Sequence, residues 1–162
     1  MSEEYSFQDF ITSVDSAYAA FTLEIHEALL NDDNCRFKVE KKASGFFVSY
    51  SHPKTKRSVL NFLFRKSGLL VRIYADCHNN YPEFIKNLPD YMEKEINKSP
   101  NCKRFLDPPG CNPKCVAGYD FSVGENRYKK CRFGCFQFSV NEDSIPIISE
   151  LINKERHERN VV

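Results

Sequence analysis

Five cysteines crowd one stretch of the chain. Cys102, Cys111, Cys115, Cys131 and Cys135 fall within 34 residues, with eight, three, fifteen and three residues between neighbours. Thiols paired at short spacing are what tetrahedral zinc sites are built from, since Zn²⁺ takes four soft or borderline ligands at about 2.3 Å for sulfur. The loop Cys111-Asn112-Pro113-Lys114-Cys115 suits that role, because its proline restrains the chain in advance and lowers the entropic cost of ordering two ligands. Three intervening residues are less diagnostic than two, and the other ligands are open. A tight hairpin at Glu125 sets Cys115 roughly opposite Cys135. Against this, a fully extended run holds Cys131 and Cys135 about 13 Å apart, too far to share one metal unless Gly134 bends the chain. Otherwise Cys102 completes a set of Cys102, Cys111, Cys115 and Cys131, with Cys135 as the alternative ligand.

Redox environment decides between metal and disulfide. The N-terminus MSEEYSFQDF is acidic and polar where a secretory signal needs a basic start and an apolar run, and no stretch of 18 apolar residues occurs. A cytoplasmic, reducing location with no membrane is expected. There thiols persist, and the odd count of seven cysteines speaks further against a disulfide framework. Net charge is +1, from 23 Lys plus Arg against 22 Asp plus Glu, so the whole-molecule field favours neither nucleic acid nor an acidic substrate.

Other chemistry-bearing residues have plainer readings. Asp76, Cys77 and His78 are adjacent, but a nucleophile and its base usually come from separate segments, so no catalytic residue is assigned. Cys35 and Cys77 stand alone and read as small buried hydrophobes. His26, His52 and His157 read as solvated. Lys54, Lys56 and Arg57, with Arg127, Lys129, Lys130 and Arg132 around Tyr128 and Phe133, have the composition of a phosphate-contacting surface. Lysine-rich hairpins serve solubility and edge protection more often, and nucleic acid is disfavoured as a partner.

The elements that position these residues follow from periodicity. Phe7, Phe10, Ile11, Val14, Tyr18, Phe21, Ile25 and Leu29 form one helical stripe, with Ser6 and Asp9 as a capping box and Thr12 to Ser16 a place for the helix to break. Strands follow around Phe37 to Val39, GFFVSYS, SVLNFLFR and GLLVRIYAD, with Ser67 and Gly68 as a two-residue turn. That pairing places Leu60, Phe62, Phe64, Leu69, Val71 and Ile73 on a core face. Asn61, Leu63, Arg65, Leu70, Arg72 and Tyr74 take the other, mixed face. There Arg65, Arg72 and Tyr74 are candidates to cradle a small anionic ligand, unless a helix covers them. A helical pattern over 80–98, with Pro89 in the first turn of its second helix, precedes a proline-rich loop. Strands AGYDFSV, RYKKCRF and CFQFSV come next, and then a closing helix capped by Asn141 and striped by Ile145, Ile148, Leu151 and Ile152.

The expected fold is one α+β domain over 1–162, an antiparallel sheet with helices packed on it. It comprises an N-terminal helical segment (1–34), a first β/α half (35–98), a Pro/Cys-rich insertion (99–116) and a second β/α half (117–160), the halves alike in outline.

The motifs Cys102-Lys103-Arg104, Cys111-Asn112 with Cys115, Gly118-Tyr119-Asp120-Phe121, Lys130-Cys131-Arg132 and Phe64-Arg65-Lys66 with Gly68 carry a resemblance to a small bacterial family, many of whose members come from Firmicutes. The resemblance spans most of the chain. It implies Cys102, Cys111, Cys115 and Cys131 rather than Cys135, and it brings no assigned activity. The expected function is a zinc-stabilised binding or regulatory domain, with a thiol-dependent redox enzyme or a nucleic-acid-binding module as alternatives.

Overall fold

In a computed structural model the described residues are 4–106, 110–115 and 118–161. The chain is α+β, with a five-stranded antiparallel sheet, a separate two-stranded ribbon and five α-helices among the described residues. It divides into two compact units, 1–73 with 138–149 and 74–137 with 150–162.

In the first unit, α1 (Phe7–Ser13) and α2 (Ser16–Glu27) replace one long helix. The break falls in the polar stretch that invited it. Val14 adopts an extended conformation and Asp15 caps α2 by accepting from the Ala17 N–H. Ser6 and Asp9 form the expected capping box, each side chain accepting from the other's backbone N–H. A single π-helical turn, Ala28–Asp32, carries α2 to Asn34, whose φ of 56° turns the chain into the sheet.

The sheet runs in the order β1-β2-β3-β4-β7, with β1 Arg36–Lys42, β2 Gly45–Ser51, β3 Ser58–Arg65, β4 Gly68–Ile73 and β7 Phe136–Ser139. Phe138 and Ser139 of β7 belong to the first unit. The β3–β4 turn is Lys66-Ser67 rather than Ser67-Gly68, because Gly68, at φ +106°, is already paired with Arg65. The change moves the register by two, and an even shift leaves every side chain on its face. Leu60 thus pairs with Ile73, Phe62 with Val71 and Phe64 with Leu69 on one face, and Asn61 with Arg72 and Leu63 with Leu70 on the other. On the first face Phe62 is fully buried, stacked on Phe10 at 5.6 Å between ring centroids and meeting the Tyr50 ring edge-on at 6.1 Å. The second face is closed as well, for Asn61, Leu63 and Leu70 are buried.

The second unit holds α3 (Pro82–Lys86), α4 (Asp90–Lys98), the ribbon β5 (Tyr119–Val123) with β6 (Asn126–Lys130), and α5 (Ile145–Val161) from Glu150 onward. Pro89 stands just before α4, as its N-cap, instead of inside it. Ile85, Met92, Ile96, Tyr119 and Phe136 make its buried apolar centre. At α5, Asn141 takes the Asp143 and Ser144 N–H groups one turn ahead of the helix. The likeness of the two halves does not extend to topology. Four consecutive strands enter the large sheet, whereas β5 and β6 form a ribbon of their own.

Candidate metal centre

The second unit builds the cysteine site from backbone pairing. β6 ends at Lys130, and the segment before the Pro-rich loop pairs with it. Cys102 N–H donates to Lys129 O at 3.0 Å, Cys131 N–H donates to Pro100 O at 2.8 Å, and Asn101 bridges to Lys130 in antiparallel sense. In such a register residues 100, 102, 129 and 131 share one face, and Cys102 and Cys131 are diagonal neighbours, positions roughly 7–8 Å apart that long or converging side chains span. Gly118 passes against this pairing so closely that a Cβ there would lie 2.1 Å from Lys130 O. Its N–H donates to Cys102 Sγ at 3.2 Å.

The Cys111–Cys115 loop is folded onto the same place. Cys115 N–H donates to Asn112 O and Lys114 N–H to Asn112 Oδ1, both at 2.9 Å, which makes 112–115 a tight Asx-type turn. Gly110 N–H donates to Lys103 O at 3.0 Å. Arg104 Nη1 then gathers three carbonyls, those of Asn112 (3.4 Å), Pro113 (3.0 Å) and Cys115 (2.5 Å).

Electrostatics identifies the thiols that share this space. Loss of surrounding water pushes the Cys115 thiol up, and its hydrogen bond to Cys111 and the neighbouring Cys131 and Cys102 push it further. Cys135 feels the Cys131 thiol of this group. The segment after β6 does bend, at Gly134 (φ +99°), but it carries Cys135 into the core, where it is fully buried and burial holds its thiol protonated. The hairpin places no opposition between Cys115 and Cys135, because the ladder spans only Tyr119–Lys130 to Val123–Asn126. Among the described residues, no three His, Cys, Asp or Glu side chains converge tightly enough as they stand to hold a metal ion.

A second cluster lies in the same unit and has no signal in residue spacing. Glu155 is 1 % exposed; its Oε1 accepts from Tyr81 OH at 2.6 Å and Cys77 N–H at 2.7 Å, and its Oε2 from Arg159 Nη2 at 3.0 Å. Burial raises its pKa, against the lowering effect of Tyr81 and Arg159. Cys77 is half-buried rather than a core hydrophobe, and its thiol bonds Glu155 as well. Desolvation and the Glu155 charge push that thiol up to about 11, so it is no nucleophile near neutrality. Asp76 forms a bidentate pair with Arg132, 2.9 Å to each oxygen, and His78 is a buried residue bonded to Ala75 O. Beside them Tyr119 OH is buried without a hydrogen-bond partner.

The remaining expected site residues are dispersed. Arg65 is exposed at the β3–β4 turn, and Arg72 is half-buried opposite Asn61. Tyr74 lies beyond the end of β4, buried, with the Arg132 guanidinium 4.6 Å from its ring centroid and its carbonyl accepting from Arg159. The basic run of β6 is largely committed internally. Arg127 makes a bidentate pair with Asp120, and Lys130 Nζ donates to Asn97 O, Ser99 O and Asn101 Oδ1, each at 2.9 Å. In the first unit His26 is not a solvated histidine. It stacks on Phe7 at 3.5 Å and shares a 2.7 Å hydrogen bond with Tyr50 OH.

No helix among the described residues is long and apolar enough to cross a membrane. Comparison with protein-family models, with curated proteins and with solved structures finds no match.

Proposed function

We propose that this chain is a cytoplasmic binding or regulatory domain, without catalytic activity, whose Pro/Cys-rich loop is fixed by a structural zinc ion on Cys102, Cys111, Cys115 and Cys131. The observation that supports the reading is that Cys102 and Cys131 come together by backbone pairing and that Cys115 lies in the field of Cys111, Cys131 and Cys102. Thiolates gathered at one site each raise the cost of the next unless a cation lies among them. A divalent metal removes that cost and drives deprotonation. The ligands must converge further to hold the ion, and Arg104 ties the 112–115 turn through the carbonyls of Asn112, Pro113 and Cys115.

Four thiolates leave no open position for water or substrate, which is why the metal is assigned to structure rather than to chemistry. The other thiol at a partly exposed position, Cys77, is pushed up to about 11 by burial and then by Glu155, and supplies no nucleophile near neutrality.

Metal analysis of the purified full-length chain, with thiol titration before and after chelation, tests the reading. One zinc per chain is expected, with the four cluster thiols protected until chelator is added. A chain without metal, whose cluster thiols react at once, refutes it.

A further inference from the structure

We propose that the outer edge of β1 docks an extended acidic peptide of a partner protein, which adds to the five-stranded sheet as a further strand. The inference concerns the first unit alone and does not depend on a metal at the cysteines.

The sheet order puts β1 at one end, hydrogen-bonded to β2 only, and among the described residues no bridge forms on its other side. In an antiparallel ladder alternate residues turn N–H and C=O toward the partner strand and the rest turn theirs away, so a row of donors and acceptors faces outward along β1. Such edges are ordinarily blunted by shortness, a proline or a bulge. β1 has none of these: it runs 7 residues without proline, and its pairing with β2 is unbroken from Arg36–Ser51 to Lys42–Gly45. Beside it lies a groove of about 520 Å³ lined by Glu4, Tyr5 and residues 37–42. Consecutive strand residues alternate between the two faces of a sheet, so a groove that touches all of 37–42 follows the edge itself.

Charge selects the occupant. β1 carries Arg36, Lys38, Lys41 and Lys42 against one carboxylate, Glu40, which Lys38 and Lys42 hold at 3.0 and 3.4 Å. Even with Glu4 counted, the groove's lysines outnumber its carboxylates. Lys38 and Lys42 stay accessible, their side chains 73 % and 54 % exposed. Lysines on an edge deter pairing with a like strand, and a second copy of β1 would set cation against cation, whereas an acidic strand meets attraction.

The pleat adds a pattern. Arg36, Lys38, Glu40 and Lys42 share one face, and Phe37, Val39 and Lys41 share the other. On that second face Phe37 is 40 % exposed, although its ring meets His26 at 5.0 Å and Phe7 at 6.4 Å. A strand alternating carboxylates with apolar residues fits both faces, its carboxylates across from Lys38 and Lys42 and an apolar side chain across from Phe37. Main-chain hydrogen bonds then supply affinity, and the alternate side chains supply selectivity.

The test titrates the isotopically labelled full chain with a synthetic peptide of Glu-Val repeats and follows backbone amides by NMR and hydrogen exchange. Saturable binding is expected, with shifts centred on β1 and slowed exchange at alternate β1 amides. Lys38→Glu combined with Lys42→Glu, at two exposed positions, should weaken it about tenfold, as two cross-strand pairs turn from attraction to repulsion. The same peptide methylated at every backbone nitrogen keeps its charge, loses its donors, and should not bind. Equal binding of the methylated peptide would mean charge alone and overturns the docking strand. Absence of saturable binding, shifts centred outside β1, or unchanged affinity in the double variant overturns it as well. So does a chain that sediments as a dimer with its outward β1 amides protected before peptide is added, because a second copy then holds the edge.

Discussion

The two units solve the same problem by different means. The first closes its sheet with dry aromatic contact, Phe62 lying between Phe10 and Tyr50, and its ionisable groups mostly stay at the surface. The second buries charge. Glu155, Arg132 and Lys130 are each no more than 5 % exposed, and each is surrounded by directional partners. An apolar core tolerates changes of pH and salt but not of volume. A buried polar network has the opposite sensitivity, because removing one member strands the rest.

The sharpest way to break the comparison is to cut volume in the first unit. Phe62→Ala should cost about 4 kcal/mol in chemical denaturation, the range for a phenylalanine lost from a filled core. Glu155→Ala comes next, at about 3 kcal/mol, since Arg159, Tyr81 OH and the Cys77 N–H lose their common acceptor. If Glu155→Ala proves as stable as the parent, the second unit is not held by this network.

Titration separates the units by sign. Burial lowers the His26 pKa below 6.5, so folding favours its neutral form; that stability is complete above 6.5 and is lost as pH falls through the folded value. Burial raises the Glu155 pKa above 4.5, so folding favours its protonated form, and stability declines as pH rises from 4.5 through the folded value. Denaturation curves across this range should therefore lose their His26 limb in His26→Gln and keep the Glu155 limb. The smallest effect belongs to Arg127→Ala. Its pair with Asp120 is bidentate but solvent-exposed, and its thermal midpoint should match the parent within error.

Periodicity made most of the first unit legible. The helical stripe, its polar break, the capping box and the core face of β3 and β4 all repeat at 3.6 or 2 residues, and such local signals survive folding. The second unit was legible only in part. Cys111 and Cys115 lie in one turn and announce themselves, but the return of residues 100–102 to pair with 129–131 has no local signature, and the choice of Cys102 over Cys135 was carried by resemblance rather than spacing. Lys130 reads as one of the lysines of an exposed hairpin, and Glu155 and Arg104 carry no signal in residue spacing. Apart from Arg159, four residues beyond Glu155, their partners lie 8 to 78 positions away along the chain, and long-range polar satisfaction leaves no period to read.

The β3–β4 hairpin tolerates change only in even steps. An insertion of two residues at Lys66-Ser67 lengthens the hairpin and leaves Phe62 facing Phe10, whereas a single inserted residue that propagates into β4 moves Val71 and Ile73 to the face of Asn61 and Leu63 and Arg72 to the face of Phe62. Variation in the length of this turn is therefore quantised, and a one-residue insertion survives only if it is absorbed locally as a bulge at Gly68, where the positive φ already permits one.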